Sequence, residues 1–352
     1  MNRKKAGRLG SFLGMALLVT ILSAGVVKLW NYLLADDTKS YTRLTMHELY
    51  ETKEDIHTLF LGSSHCFRAY DPGLFTELTG KASFNLGSSA QNYDTSYYLL
   101  KEALRYYHIQ TVYLDMHYKF LFVDKVDRDL VQANIISDYM SPSLNKLEFL
   151  TQTAEAKHIT NRMLPFRRDW QKLADIPYIK AVWKKKQSDS YRKYEPVVQE
   201  REYYAGKGFV WSDATLDAEA ITWWDNFTDI SEDMVSDVTY TLNYLEKIVK
   251  LCEEQGIRLI WVTAPSFDRY LKEVGPYDEA HTYIRELADK HGVAYWDFNL
   301  CKEEYLDLDA DSFIDVDHLN GKGAGSVTKL LAQLDMKEEQ IDEYFNPCYD
   351  TR

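Results

Sequence analysis

The chain is expected to fold as an α/β protein, a three-layer sandwich with a central parallel sheet, preceded by one N-terminal transmembrane helix. Three observations lead there. Short apolar runs of strand character alternate with segments of helical period. Several of those runs end in small or polar residues, as in Gly62-Ser63-Ser64, Gly87-Ser88-Ser89 and Ala264-Pro265. An uncharged and mostly apolar run, Leu9 to Val27, follows the basic residues Arg3, Lys4, Lys5 and Arg8.

The apolar run comes first. Its 19 residues reach roughly 28 Å as a helix, enough to cross the hydrocarbon core. The basic residues at 1–8 are expected to stay in the cytoplasm, and Trp30 and Tyr32 suit the outer interface. A cleaved signal peptide is the competing reading. Leu33-Leu34-Ala35 is a poor cleavage site, so a retained signal anchor over 9–34 is favoured. The main domain then faces the outside of the cell membrane. Residues 35–55 are polar and read as a stalk.

The alternation starts at Thr58. Strands are expected at 58–62, 82–86, 111–116, 257–263 and 293–297. Helices are expected at 72–79, 94–107, 238–254, 277–291 and 323–334. Asp71 is a good N-cap with Pro72 at the first helical position. The helix over 238–254 stops before Gly256, and the helix over 277–291 before Gly292. Strands alternating with helices argue for a parallel sheet covered on both faces, and ligands bind at the carboxyl ends of such strands. The α/β domain is placed at 56–335, with a polar tail at 336–352.

The alternation breaks down between about 118 and 235, which is read as an insertion. Within it, Arg162 to Lys207 holds 12 Lys and Arg against 6 Asp and Glu, in a chain of net charge −13. Trp170, Tyr178, Trp183, Tyr191 and Tyr194 are interleaved with these charges. Such a segment suits an anionic polymer or anionic lipid headgroups, or it is simply a solvated helical face. The acidic total disfavours a general nucleic-acid role. An aromatic content of 14% suits sugar stacking or a membrane interface, although ring burial is the commoner use. The four cysteines, Cys66, Cys252, Cys301 and Cys348, lack zinc-like spacing, so neither a metal nor another cofactor is expected. Cys66 is read as a small buried side chain. Asn226-Phe227-Thr228 fits a glycosylation acceptor and is read as incidental.

Two short stretches carry chemistry. Thr58-Leu59-Phe60-Leu61 runs into Gly62-Ser63-Ser64, a strand that ends in a tight turn and raises a hydroxyl above the sheet edge. Asp315 stands three residues before His318, ahead of a turn into the last helix. A serine becomes a nucleophile when an imidazole takes its proton and a carboxylate orients the imidazole. Each stretch is weak alone, and together on an alternating sheet they support each other. Asp317 adjoins His318, which is expected to point its side chain elsewhere. His65 is read as packing or capping the turn, with substrate contact as the competing reading.

These residues resemble the SGNH (GDSL) hydrolase superfamily, whose fold is flavodoxin-like. More narrowly they resemble its membrane-anchored branch, which includes the D-alanyl transfer protein DltD and the alginate O-acetylation proteins. In that branch the usual Gly-Asp-Ser is often Gly-Ser-Ser, as in Gly62-Ser63-Ser64. The resemblance spans about residues 56–116 and 237–335, and Asp315-x-x-His318-Leu319-Asn320 is its more specific half. It implies Ser64 as nucleophile, His318 as general base and Asp315 as the orienting acid. It also implies a polytopic partner of the membrane-bound O-acyltransferase class that supplies the acyl group. The oxyanion is expected to meet the Ser64 amide, the Gly87 or Ala90 amide, and the Asn92 side chain. The family's third block usually carries Gly-x-Asn-Asp, whereas here Asp115-Met116-His117 stands in that place, leaving His117 as a substitute donor. The leading expectation is a membrane-anchored acyl-transfer enzyme acting on a cell-surface polysaccharide or teichoic-acid-like polymer. A plain esterase or deacetylase and a non-catalytic glycopolymer-binding scaffold are the alternatives.

Overall fold

Thr58–Leu61 (β1) is apolar at three of its four positions and buried at all four, as expected of a strand covered on both faces. It lies inside a five-stranded sheet with β2 (Ser83–Asn85), β3 (Thr111–Asp115), β7 (Arg258–Thr263) and β8 (Ala294–Asp297). The order is β2-β1-β3-β7-β8 and every pairing is parallel. The computed structural model describes residues 3–122, 130–196, 198–219, 238–273, 275–337 and 341–349.

Successive side chains of a strand point to opposite faces, and the sequence is written for that period. Leu59, Leu61, Val112, Leu114 and Trp261 enter one apolar cluster, with Leu99 and Leu100 of helix Tyr93–Ala103 and Leu245 and Ile248 of helix Thr239–Gln255. Phe60, Tyr113, Ile260 and Val262 enter the other, with Phe75 of helix Pro72–Thr79 and Val327 and Leu331 of helix Gly321–Met336. The result is helices on both faces of one parallel sheet. Burying each such side chain contributes about 1.5–3 kcal/mol. Much of the tyrosine excess goes here, since Tyr70, Tyr93, Tyr98, Tyr113, Tyr270, Tyr277 and Tyr295 are core residues.

The strands and helices fall within a few residues of their expected bounds. Asp71 caps its helix by accepting from the amides of Gly73 and Leu74, at 2.8 and 3.1 Å. The helix over 239–255 ends on Gly256 at φ +67°, a conformation that costs glycine little.

The stalk expected over 35–55 is corrected in part. Tyr41–Glu51 is a helix with Leu44, Met46 and Leu49 buried. Arg43 and Thr45 are buried beside them. The tail is also corrected in part: the Asn346 amide donates to Leu300 O at 2.8 Å, which pins the chain to the domain.

The structure divides into two compact units. One is Met1–Ser40 with Ala156–Glu195, and the other is Tyr41–Glu155 with Pro196–Arg352. The expected insertion is therefore split between them. In the second unit it supplies an antiparallel ribbon of β4 (Val198–Gln199), β5 (Glu202–Gly206) and β6 (Phe209–Ser212). Asn85 of edge strand β2 donates its amide to Lys207 O at 2.9 Å, so the ribbon covers that open edge. In the first unit the helix Arg3–Leu34 carries an apolar stretch, Ser11–Leu34, long enough to cross a membrane. Asn226 lies outside the described residues.

Candidate active site

The end of β1 sets the site. Gly62 has φ +155°, and a Cβ placed there would stand 2.4 Å from Asp115 Cβ. Only glycine lets the chain turn this close to the end of β3. The turn leads straight into the short helix Ser64–Ala69, whose N-cap Ser63 accepts from the His65 amide at 3.3 Å. The Ser63 hydroxyl is buried and donates to Asp115 Oδ2 at 3.3 Å. Ser64 is left half-buried with its hydroxyl free for other partners.

The second half of the site is a tight loop after β8. The amides of Asp317 and His318 both donate to Asp315 Oδ1, at 3.1 and 2.9 Å, an aspartate turn. The Ile314 amide donates to His318 O at 2.8 Å and closes the loop. Asn320 then caps the last helix, accepting from the Lys322 and Gly323 amides at 3.0 and 3.1 Å. Its side-chain amide donates to Asp311 O and, from the ribbon side, to Ala214 O, at 2.7 and 2.8 Å.

These two loops, 254 positions apart in sequence, meet. Ser64 Oγ lies 2.7 Å from His318 Nε2. On the far side of the ring, His318 Nδ1 lies 3.0 and 3.1 Å from the two oxygens of Asp315. A hydroxyl, an imidazole and a carboxylate thus stand in line, in the order that activates a serine.

No family model matches the chain, and no curated protein matches it. Among solved structures it is similar to a GDSL-like lipase from Bacteroides thetaiotaomicron VPI-5482. The two are 9% identical, with a TM-score of 0.35, and the alignment covers 84% of this chain and 97% of that one. A likeness this loose carries nothing about chemistry, which rests on the side chains.

Of the expected oxyanion groups, the Ser64 amide opens its helix, where no intrahelical acceptor exists. Gly87 is corrected: its amide already donates to Asn85 Oδ1 at 2.9 Å. Ala90, in the left-handed conformation at φ +49°, sits in the same turn, and its amide has no acceptor among the described residues. Asn92 caps helix Tyr93–Ala103 without a side-chain hydrogen bond, so its amide group remains unspent there. His117 is corrected as a donor to substrate. It is 1% exposed and stacks on His65 at 3.8 Å between ring centroids.

His65 is buried and packs beside the His318 ring. Its ring lies nearly parallel to that of His318, with centroids 4.6 Å apart. Asp317 is corrected in direction: its side chain turns toward the His318 ring, not elsewhere. Its Oδ1 comes within 3.1 Å of His318 Nδ1, and its Oδ2 lies 3.1 Å from Lys119 Nζ and 3.5 Å from His65 Nε2. The loop curls enough for an adjacent residue to turn back on the ring. Asn85 was missed as well. It donates to Cys66 O and Tyr70 O at 2.9 and 3.0 Å, tying the serine's helix to the end of β2. An asparagine at a strand end, two residues before a glycine, was the available signal.

Burial opposes a charge on His318, yet the Asp315 hydrogen bonds and the nearby Asp317 outweigh it and raise its pKa to about 9. Burial also opposes charge on Asp317, but His318 and His65 hold that carboxylate well below its usual range. Buried His65 and His117 are both pushed down, toward the neutral form. Burial pushes Asp115 up to about 7. His65, Asp317 and His318 also bring three possible metal-ligand atoms within 4.8 Å of one another.

A base must be unprotonated to act. With His318 at about 9, acylation is expected to rise about tenfold per pH unit through neutrality and level off near pH 9. Asp317→Asn removes one of two carboxylates and is expected to move that limb down by roughly 1–2 units. The pH dependence of kcat/KM for both proteins checks this, and coincident profiles would remove Asp317 from the ring's electrostatics.

Proposed function

We propose that this chain is a serine-dependent acyl-transfer enzyme of the SGNH type, anchored in the membrane by its N-terminal helix. The observation that carries the reading is the line Ser64 Oγ, His318 imidazole, Asp315 carboxylate, with contacts of 2.7 and 3.0 Å. In the proposed cycle Ser64 Oγ attacks an ester or thioester carbonyl, and His318 Nε2 takes the hydroxyl proton. The Ser64 and Ala90 amides receive the oxyanion. Collapse expels the leaving group, which takes the proton from His318. A hydroxyl on a cell-surface glycopolymer, or water, then attacks the acyl-serine and returns the chain to its resting form.

The finer resemblance, to the branch containing DltD and the alginate O-acetylation proteins, belongs to this proposal. So do the outward orientation of the main domain and a membrane-bound O-acyltransferase-class partner that supplies the acyl group.

The test is partitioning. The full chain in detergent is given an activated acetyl ester, with and without a polyhydroxylated acceptor such as a short glycan. Transfer to the acceptor that depends on Ser64 supports the proposal. Hydrolysis at one rate whatever the acceptor points to a plain esterase, and no turnover at any pH points to a scaffold.

A further inference from the structure

The basic, aromatic stretch has no role in the chemistry above, yet its structure is specific. Residues 156–195 form one compact unit with the N-terminal helix. Short helical segments, Ala156–Met163, Pro165–Ala174, Ile176–Lys186 and Asp189–Arg192, follow one another through it. Among the described residues, the hydrogen bonds and ion pairs between them and the N-terminal segment gather at the Asn31–Asp37 end. The Phe166 amide donates to Asn31 Oδ1 at 2.7 Å, and the Tyr178 hydroxyl donates to Leu34 O at 2.8 Å. The Tyr32 hydroxyl donates to Lys186 O at 3.2 Å. Lys185 pairs with Asp36 at 2.6 Å, and Lys186 pairs with Asp37 at 2.8 Å. Lys186 is only 2% exposed, and its Nζ stands 4.8 Å from the Tyr32 ring centroid.

This fastening fixes where the unit sits. The helix upstream, from Phe12 to Leu29, exposes its large apolar side chains, as a lipid-facing segment does. The attachments begin at Asn31, where that segment ends. Around this point the unit holds 11 Lys and Arg against 4 Asp and Glu over 156–195. It also leaves Met163, Trp170, Ile176 and Trp183 exposed, with Trp170 at 60% and Trp183 at 52%. In water such a surface would be costly. Tryptophan and lysine together are what the headgroup layer favours, the ring at the acyl boundary and the cation against phosphate.

We propose that residues 156–195 form a collar that lies in the headgroup layer of the membrane crossed by the helix. Trp170 and Trp183 are seated at the acyl boundary, and the exposed Arg167, Lys180, Lys184 and Arg192 face anionic lipid phosphates. The collar holds its end of the helix at a fixed depth. Charge and continuity with the apolar helix favour lipid over a soluble glycopolymer. The proposal rests on the helix spanning a bilayer and is independent of Ser64 chemistry.

The experiment places the full chain in nanodiscs whose lipids carry bromine near the top of the acyl chains, and reads quenching of tryptophan fluorescence. Wild type is compared with the Trp170→Phe/Trp183→Phe double variant, in zwitterionic lipid and in lipid with an anionic fraction. Trp30, inside the apolar helix, reports insertion in both proteins. Wild type is expected to be quenched strongly, and the double variant is expected to lose most of that quenching while keeping the part due to Trp30. The difference is expected to widen with anionic lipid. Equal quenching in the two proteins would overturn the collar, as would a difference that disappears in bilayers and returns only on adding a soluble polyanion. No quenching in either protein would overturn the span and the collar together.

Discussion

Ser64→Ala and His318→Ala are each expected to lower kcat/KM for an activated acyl ester by about 10⁴- to 10⁶-fold. The reason is the single 2.7 Å contact between Ser64 Oγ and His318 Nε2. Without the imidazole the hydroxyl keeps its proton, and without the hydroxyl there is nothing to acylate. The two residues act as a unit, so the double variant should be little worse than either single one. Both side chains are partly open to solvent, so neither change removes core packing, and thermal unfolding should stay near wild type. A loss in kcat/KM with an unchanged melting curve separates chemistry from folding. Additive losses in the double variant would mean that the two do not share one step.

Asp315→Asn is expected to lower kcat/KM by about 10³- to 10⁴-fold. The change is a clean one here. Asparagine keeps an oxygen to accept from the Asp317 and His318 amides, so the turn survives. What goes is the charge that holds the ring's orientation and stabilises the imidazolium at 3.0 Å. Asp317 comes as near, but Lys119 and His65 already engage its other oxygen. It is therefore expected to tune the ring rather than orient it. Steady-state kinetics of the two Asp→Asn variants decide between them. A large loss in Asp317→Asn with little in Asp315→Asn would reverse the roles.

The sheet was legible because parallel strands buried on both faces must be apolar throughout, and these are bounded by glycines and caps. The pairing of Ser64 with His318 was legible too, since both follow strand carboxyl ends. Hydrogen-bond competition was not. Asn85 before Gly87 marks a capped strand end, but the sequence does not say that this cap takes the Gly87 amide. Nor does His117 beside a strand end reveal that it is sealed behind His65. The polar look of residues 35–55 hid a helix that buries Leu44, Met46 and Leu49. The insertion had no single period to read, because 156–195 goes with the N-terminal helix while the β4–β6 ribbon closes the edge of β2.

The central claim is that Ser64 is activated by His318. The most direct measurement is covalent labelling of the full chain in detergent with a fluorophosphonate, mapped by mass spectrometry of the digested protein across pH 6 to 10. The expected result is one adduct, on Ser64, formed faster as pH rises toward about 9 and absent in both Ser64→Ala and His318→Ala. Labelling that survives in Ser64→Ala, or no labelling of wild type at any pH, would contradict it.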